Sequence, residues 1–249
     1  MDDLKTIWYH QLETLKIFEA NNCKKIVVVF PSSMQKTYNM IEMLDVTYCY
    51  LVEGIFELTF NENRNVVVTS HLKEFTIDEL PKLKKIWSRD PQEILNFENL
   101  MKIELNSCSR LEYLLPLSIA THCSLLKELS VNNCASMKEI VAEEKESRVS
   151  AAPIFEFNHL STLFLWNLGK LKGFYGGNHT LACSSLRKIS VFNCAKLNLY
   201  GTLSTSSSKS NHQDGKDLVL IQQPLFIAEE VCIVSIYIYQ FNLHEKTYM

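Results

Sequence analysis

The residues best equipped for chemistry are the eight cysteines, and five of them, Cys23, Cys49, Cys108, Cys134 and Cys194, recur at one position of a longer pattern. A thiolate metal site draws on close pairs of the C-x-x-C kind, but these five lie 26 or more residues apart. Thiol catalysis would need a base facing the sulfur and a third group orienting that base. His122-Cys123 supplies only neighbours in sequence, which rarely face each other, and neither an orienting carboxylate nor an oxyanion-donating glycine turn accompanies them. The cysteines therefore read as reduced, buried hydrophobes, and the sequence predicts no catalytic, cofactor or metal site. Cys123, Cys183 and Cys232 fall outside the row.

The elements that position these residues follow from a repeat, L-x-x-Φ-x-Φ-x-x-C/L-x-x-Φ, where Φ is apolar. It is clearest at Leu126, Leu129, Val131, Cys134 and Met137. Six other blocks open at Leu15, Ile41, Leu72, Leu100, Leu160 and Leu186, giving intervals of 26, 31, 28, 26, 34 and 26 residues. All 35 positions of the seven blocks are apolar in a chain that is 47% hydrophobic, so chance placement has a probability of 0.47 to the 35th power, on the order of 10⁻¹¹.

Each Φ-x-Φ predicts a short strand with both apolar side chains on one face, because side chains alternate along an extended chain. Stacked blocks then pair these strands into one parallel sheet. The fold class expected is α/β, a curved leucine-rich-repeat solenoid with its sheet on the concave face and short helices or irregular segments on the convex face. Residues 114–123 predict such a helix, opening near Pro116.

The residue between the two Φ positions must face outward, giving the row Glu19, Asp45, Thr76, Glu104, Ser130, Phe164, Ser190. Two residues on, the next row reads Asn21, Thr47, Asp78, Asn106, Asn132, Trp166, Phe192. The rows are acidic and polar early and aromatic late. Interface hot spots favour aromatics in a polar surround, so Phe164, Trp166 and Phe192 are expected to anchor a protein partner. Glu19, Asp45, Asp78 and Glu104 line the same concave face. The competing expectation is that the aromatics only pack on one another.

Charge and hydropathy narrow the class further. With 25 basic and 28 acidic residues the formal net charge is −3, and there is no run of five or six like charges. No basic stripe is visible in the sequence, so nucleic acid is not an expected partner. The N-terminus lacks a basic segment followed by an apolar one and so is not a secretory signal. The apolar run from Val231 to Phe241 is too short to span a bilayer. Reduced cysteines then point to the cytoplasm or the nucleus, where the Asn178-His179-Thr180 acceptor triplet would go unused.

A slower rhythm overlies the repeat. Leu80-Pro81-Lys82-Leu83-Lys84 and Leu168-Gly169-Lys170-Leu171-Lys172 match, and Leu4-Lys5-Thr6-Ile7-Trp8 matches the tail of the same segment. On this reading the chain opens in mid-repeat and is a fragment or truncated product. Residues 1–200 are expected to form the solenoid of about seven repeats, 201–217 a Ser-rich flexible linker, and 218–249 a partial or degenerate terminal repeat. Residues 61–65 and 143–153 read as surface insertions.

The blocks at 126–137 and 186–197, the phrase Met137-Lys138-Glu139-Ile140-Val141-Ala142-Glu143-Glu144, the Leu-Pro-Lys-Leu-Lys segment and the run at 174–181 resemble a known family. They are similar to the leucine-rich-repeat region of plant coiled-coil nucleotide-binding disease-resistance proteins, over roughly residues 1–228. The resemblance implies a non-catalytic module of an intracellular immune receptor. Its partners would be a pathogen effector or guarded host protein and the receptor's own nucleotide-binding domain. No G-x-x-x-x-G-K-[ST] loop is present, so ADP or ATP would bind only in that other domain. A substrate-recruiting leucine-rich-repeat subunit of a ubiquitin ligase is the alternative, and it would need an F-box-like helical segment before the repeats.

Overall fold

The structure, a computed structural model, describes residues 14–34, 39–58, 68–91, 95–143, 152–197, 200–202 and 222–224. Seven strands of five residues each follow the repeat: β1 Ile17–Asn21, β2 Met43–Thr47, β3 Glu74–Asp78, β4 Lys102–Asn106, β5 Glu128–Asn132, β6 Thr162–Trp166 and β7 Lys188–Phe192. They form one parallel sheet in chain order. The register is uniform, with Phe18, Leu44, Phe75, Ile103, Leu129, Leu163 and Ile189 opposite one another in succession.

Burial follows the pattern that predicted it. Of the 35 repeat positions, 31 are buried; Leu15, Cys23, Cys194 and Leu197 are partly buried, all in the first and last blocks. One-dimensional stacking has this signature, since a unit's apolar edge is covered only by its neighbours. The thiols fit the core because each can close a strand end: Cys108 Sγ donates to Asn106 O at 3.4 Å and Cys134 Sγ to Asn132 O at 3.3 Å. Cys49 repeats the contact on Thr47 O at 3.2 Å and Cys194 on Phe192 O at 3.4 Å. Burial pushes the Cys49 thiol up to about 11 and those of Cys123 and Cys183 to about 12. None of these thiols ionises near neutral pH, as the reading of an inert row requires.

Between strand and thiol sits the sharpest backbone feature of the repeat. Asn22, Tyr48, Glu79, Ser107, Asn133, Asn167 and Asn193 each follow a strand directly, and all have φ of 53 or 54°. Left-handed backbone costs an L-residue about 1–2 kcal/mol, less for asparagine, and four of the seven are asparagine. The conformation turns the chain off the sheet and aims the N–H of the first six at the next repeat. Tyr48 N thus reaches Asp78 O at 3.0 Å and Asn167 N reaches Phe192 O at 2.8 Å.

The far side of the core is more regular than the sequence suggested. The predicted helix is present at Leu117–His122. Beside it, however, lie short parallel strands: Val28–Phe30, Gly54–Phe56 and Lys85–Trp87 in one sheet, and Tyr113–Leu115, Glu139–Val141 and Gly173–Tyr175 in another. Phe30, Phe56 and Trp87 stack through the first of these, with ring centroids 5.3 and 6.1 Å apart. Cys123 and Cys183, set aside in the sequence, alternate with Phe97 and Phe157 at a second buried position three residues before the block starts Leu100, Leu126, Leu160 and Leu186. Residues 61–65, most of 143–153, the Ser-rich stretch from 204 to 215, Leu4 and the apolar tail at 233–241 lie outside the described residues. Of the C-terminal part, Tyr200–Thr202 pairs antiparallel with Gln222–Pro224.

Candidate protein-binding face

Leu163 and Leu165 of β6 enter the core, so Thr162, Phe164 and Trp166 must leave it on the opposite face. The same alternation in β7 buries Ile189 and Val191 and turns Lys188, Ser190 and Phe192 outward. Register places Phe164 opposite Ser190 and Trp166 opposite Phe192. The small Ser190 leaves room for the indole to lean across it, and Trp166 Nε1 donates to Ser190 Oγ at 2.9 Å.

The three aromatics therefore meet. Phe164 and Trp166 are edge to face at 6.1 Å, Trp166 and Phe192 at 6.3 Å. Such pairs contribute about 0.5–1.5 kcal/mol each beyond burial. Lys188 Nζ sits 4.7 Å from the Phe164 ring centroid, a cation–π contact. The packing does not bury them, since Trp166 stays 41% exposed and Phe164 and Phe192 are only partly buried. The rings pack on one another, and Trp166 still presents part of its surface on the open face.

Below them a polar ladder locks the strand ends. Asn133 Nδ2 donates to Asn106 Oδ1 at 3.3 Å, Asn167 Nδ2 to Asn133 Oδ1 at 2.8 Å, and Asn193 Nδ2 to Asn167 Oδ1 at 3.1 Å. Asn133, Asn167 and Asn193 are the left-handed residues of the later repeats, so one asparagine row, begun at Asn106 on the end of β4, serves both backbone and cross-repeat bonding. The equivalent early positions, Tyr48 and Glu79, cannot extend it.

The acids occupy the early strands of the same face. Glu19 is opposite Asp45, Asp45 opposite Thr76, and Thr76 opposite Glu104, while Asp78 lies two residues past Thr76. Asp45 Oδ1 is buried without a hydrogen-bond partner. Burial first, then the charges of Glu19, Asp78 and Glu104, raise the Asp45 carboxyl above its ordinary 3.8. Two of the group are partly answered: Asn106 Nδ2 donates to Asp78 Oδ1, and Lys102 Nζ meets Glu104 Oε1 at 3.1 Å. The face can thus offer aromatic anchorage at one end and an acidic field at the other. No group of three or more His, Cys, Asp or Glu among the described residues is arranged to hold a metal.

A seven-stranded parallel sheet with one left-handed residue and one buried thiol or leucine per turn defines a leucine-rich-repeat protein, whose exposed sheet face is the concave one. The family described as plant disease resistance protein RPS2-like, leucine-rich repeats, matches residues 1–135 and 122–209, and this chain belongs to it. It is 32% identical over 121 residues to the Arabidopsis thaliana disease resistance protein At5g05400, covering 47% of this chain and 13% of that one. With At1g12290, a disease resistance protein of the same plant, it shares 36% identity over 102 residues, 41% of this chain and 11% of the other. The chain therefore spans a small part of the length of the relatives it matches. No solved structure matches it. Among the described residues no helix is long and apolar enough to cross a membrane.

Proposed function

We propose that this chain is the non-catalytic recognition and regulatory region of a plant immune receptor acting in the cytoplasm or nucleus. In this reading residues 1–200 form the binding solenoid, 201–217 a linker and 218–249 a terminal repeat. Phe164, Trp166 and Phe192 grip a pathogen effector or a guarded host protein, and Glu19, Asp45, Asp78 and Glu104 steer it. The same face restrains the receptor's nucleotide-binding domain, and ADP or ATP binds there rather than here.

One observation carries this reading. Three aromatics from two adjacent strands contact one another on the open face of a sheet, half exposed, where burial would have been the cheaper use of so much apolar surface. The test is the triple substitution Phe164→Ala, Trp166→Ala and Phe192→Ala in a receptor carrying these repeats, expressed in leaf tissue. The expected result is loss of the pathogen-triggered response with unchanged protein level. A full response from the triple variant contradicts the proposal.

A further inference from the structure

The stacked repeats create a charge pattern that the linear sequence conceals. After each thiol or leucine the chain makes a tight turn, closed by Val52 N to Cys49 O at 3.1 Å, Leu83 N to Leu80 O at 3.0 Å, Leu111 N to Cys108 O at 3.2 Å, Met137 N to Cys134 O at 3.0 Å, and Leu171 N to Leu168 O and Leu197 N to Cys194 O, each at 3.0 Å. The two central residues of the turn in the first block and of these six, in chain order, are Lys24-Lys25, Tyr50-Leu51, Pro81-Lys82, Ser109-Arg110, Ala135-Ser136, Gly169-Lys170 and Ala195-Lys196. Six of these 14 positions are basic and none is acidic, in a chain whose acids outnumber its bases by 28 to 25.

The turns are held side by side. Ser109 Oγ donates to Pro81 O at 3.3 Å across two of them, and just past the turns Lys84 N bonds Glu53 O at 3.0 Å and Lys172 N bonds Lys138 O at 2.8 Å. The cations thus share one edge of the solenoid, which corrects the sequence reading that the chain has no basic stripe. Residues 26 or more apart in sequence become neighbours only through stacking.

Local acids do not cancel this edge. Glu53, which feels Lys82 and Arg110, is bound to Lys84 at 2.8 Å, and Glu112 is bound to Lys138 at 2.9 Å. Glu79 is the one acid in the adjoining row of left-handed residues. Among the described residues Lys82, Arg110, Lys170 and Lys196 enter no ion pair. The opposite edge has its own stacked turns, with Glu98-Asn99, Ser124-Leu125, Asn158-His159 and Ser184-Ser185 at their centres, and these hold no lysine or arginine.

In the basic row, between Lys24-Lys25 and Lys82, the second turn pushes out Tyr50, 50% exposed, and Leu51, 37% exposed. Long flexible cations around a protruding tyrosine and leucine, on an edge rather than in a cleft, match a surface that is anionic outside and apolar beneath. We propose that this turn edge is a peripheral contact surface for an anionic phospholipid leaflet, with Tyr50 and Leu51 entering the headgroup layer. It is independent of the partner-binding face described above.

The test is flotation of the full 249-residue chain with phosphatidylcholine vesicles, with and without phosphatidylserine. The variants are K82Q with R110Q, Y50S with L51S, and a control on the opposite edge, S124E with S184E. The first pair takes its two positions from +2 to 0 and the control takes its two from 0 to −2, the same change of −2 in net charge, so total charge alone cannot separate them. All these side chains lie on surface turns, and matched thermal melts verify that folding is kept. The expected result is binding to phosphatidylserine vesicles alone, weakened by salt, reduced about tenfold or more by K82Q with R110Q, reduced by Y50S with L51S, and unchanged in the control. Equal binding to phosphatidylcholine, equal loss in the control, or binding of polyglutamate or duplex RNA without vesicle binding would overturn the proposal.

Discussion

The exposed face of the sheet has two halves built on one backbone. From β1 to β4 it carries Glu19, Asp45, Asp78 and Glu104; from β6 to β7 it carries Phe164, Trp166 and Phe192. In the early half Glu19 and Asp45 face each other directly, a destabilising arrangement across strands, and the strand ends are closed by Tyr48 and Glu79 in a strained conformation. In the late half the rings contact one another and the asparagine ladder closes the ends. Identical core positions thus support opposite surface economies. The solenoid fixes where an outward side chain stands without restricting what it is, so the early half holds carboxylates that are only partly answered and the late half holds apolar area that is only partly buried.

The comparison holds only if the two halves share one core, and the thiols test that. Burial holds the Cys49 thiol at about 11 and those of Cys123 and Cys183 at about 12, so the folded chain carries little thiolate at these positions in mildly alkaline solution. Alkylation of the folded chain at mildly alkaline pH should spare the buried Cys49 and Cys108 in the early half as well as the buried Cys183 in the late one. Denaturant should expose all of them together. Rapid labelling of one half in the native state would show that the halves are separate units.

The surface difference is sharpened by exchanging its residues. The aromatic triple alanine variant should weaken partner binding by on the order of a hundredfold, mainly through faster dissociation. Replacing Glu19, Asp45, Asp78 and Glu104 by their amides should change chiefly the association rate and its salt dependence. Surface plasmon resonance separates the two effects, and equal off-rate changes from both sets would erase the distinction.

Asp45 gives a smaller effect with a defined sign. Its raised pKa means that ionisation costs stability in the folded state, so stability is gained as pH falls through the raised value and the effect is complete below 3.8. Asp45→Asn should therefore raise the melting temperature at neutral pH, with the gain vanishing below pH 3.8. Glu42 should behave in the opposite way. Hydrogen bonds from Lys73 and Lys16, at 2.7 and 2.9 Å, hold its carboxyl at about 2 against an ordinary 4.5. Its contribution is present above pH 4.5 and lost as pH falls through 2, so Glu42→Gln should lower the melting temperature slightly at neutral pH and not at all in strong acid.

Much of this architecture was legible because a buried strand face obliges its side chains to alternate: Leu163 and Leu165 betray the outward aim of Phe164 and Trp166. The longest interval, from Leu126 to Leu160, did not disturb that register, since Glu128 still pairs with Thr162 and Asn132 with Trp166. The far-side strands were not legible. Val28–Phe30 and Gly54–Phe56 are three residues long, too short to show a period of their own. Nor did the left-handed positions stand out at Tyr48, Glu79 and Ser107, where tertiary context overrides residue preference. The basic edge escaped notice because its members are consecutive only in space. Contact between Trp166 and Ser190 likewise depends on a rotamer that no sequence pattern specifies.

The most direct measurement places a photo-reactive benzoyl-phenylalanine at position 166 or 192 of a receptor carrying these repeats, and at Ile154, which is 57% exposed on a far-side strand, as the reference. After pathogen challenge and illumination, a cross-linked partner should form from 166 and 192 and not from 154. Cross-linking from 154 alone would place the partner on the far side and contradict the account.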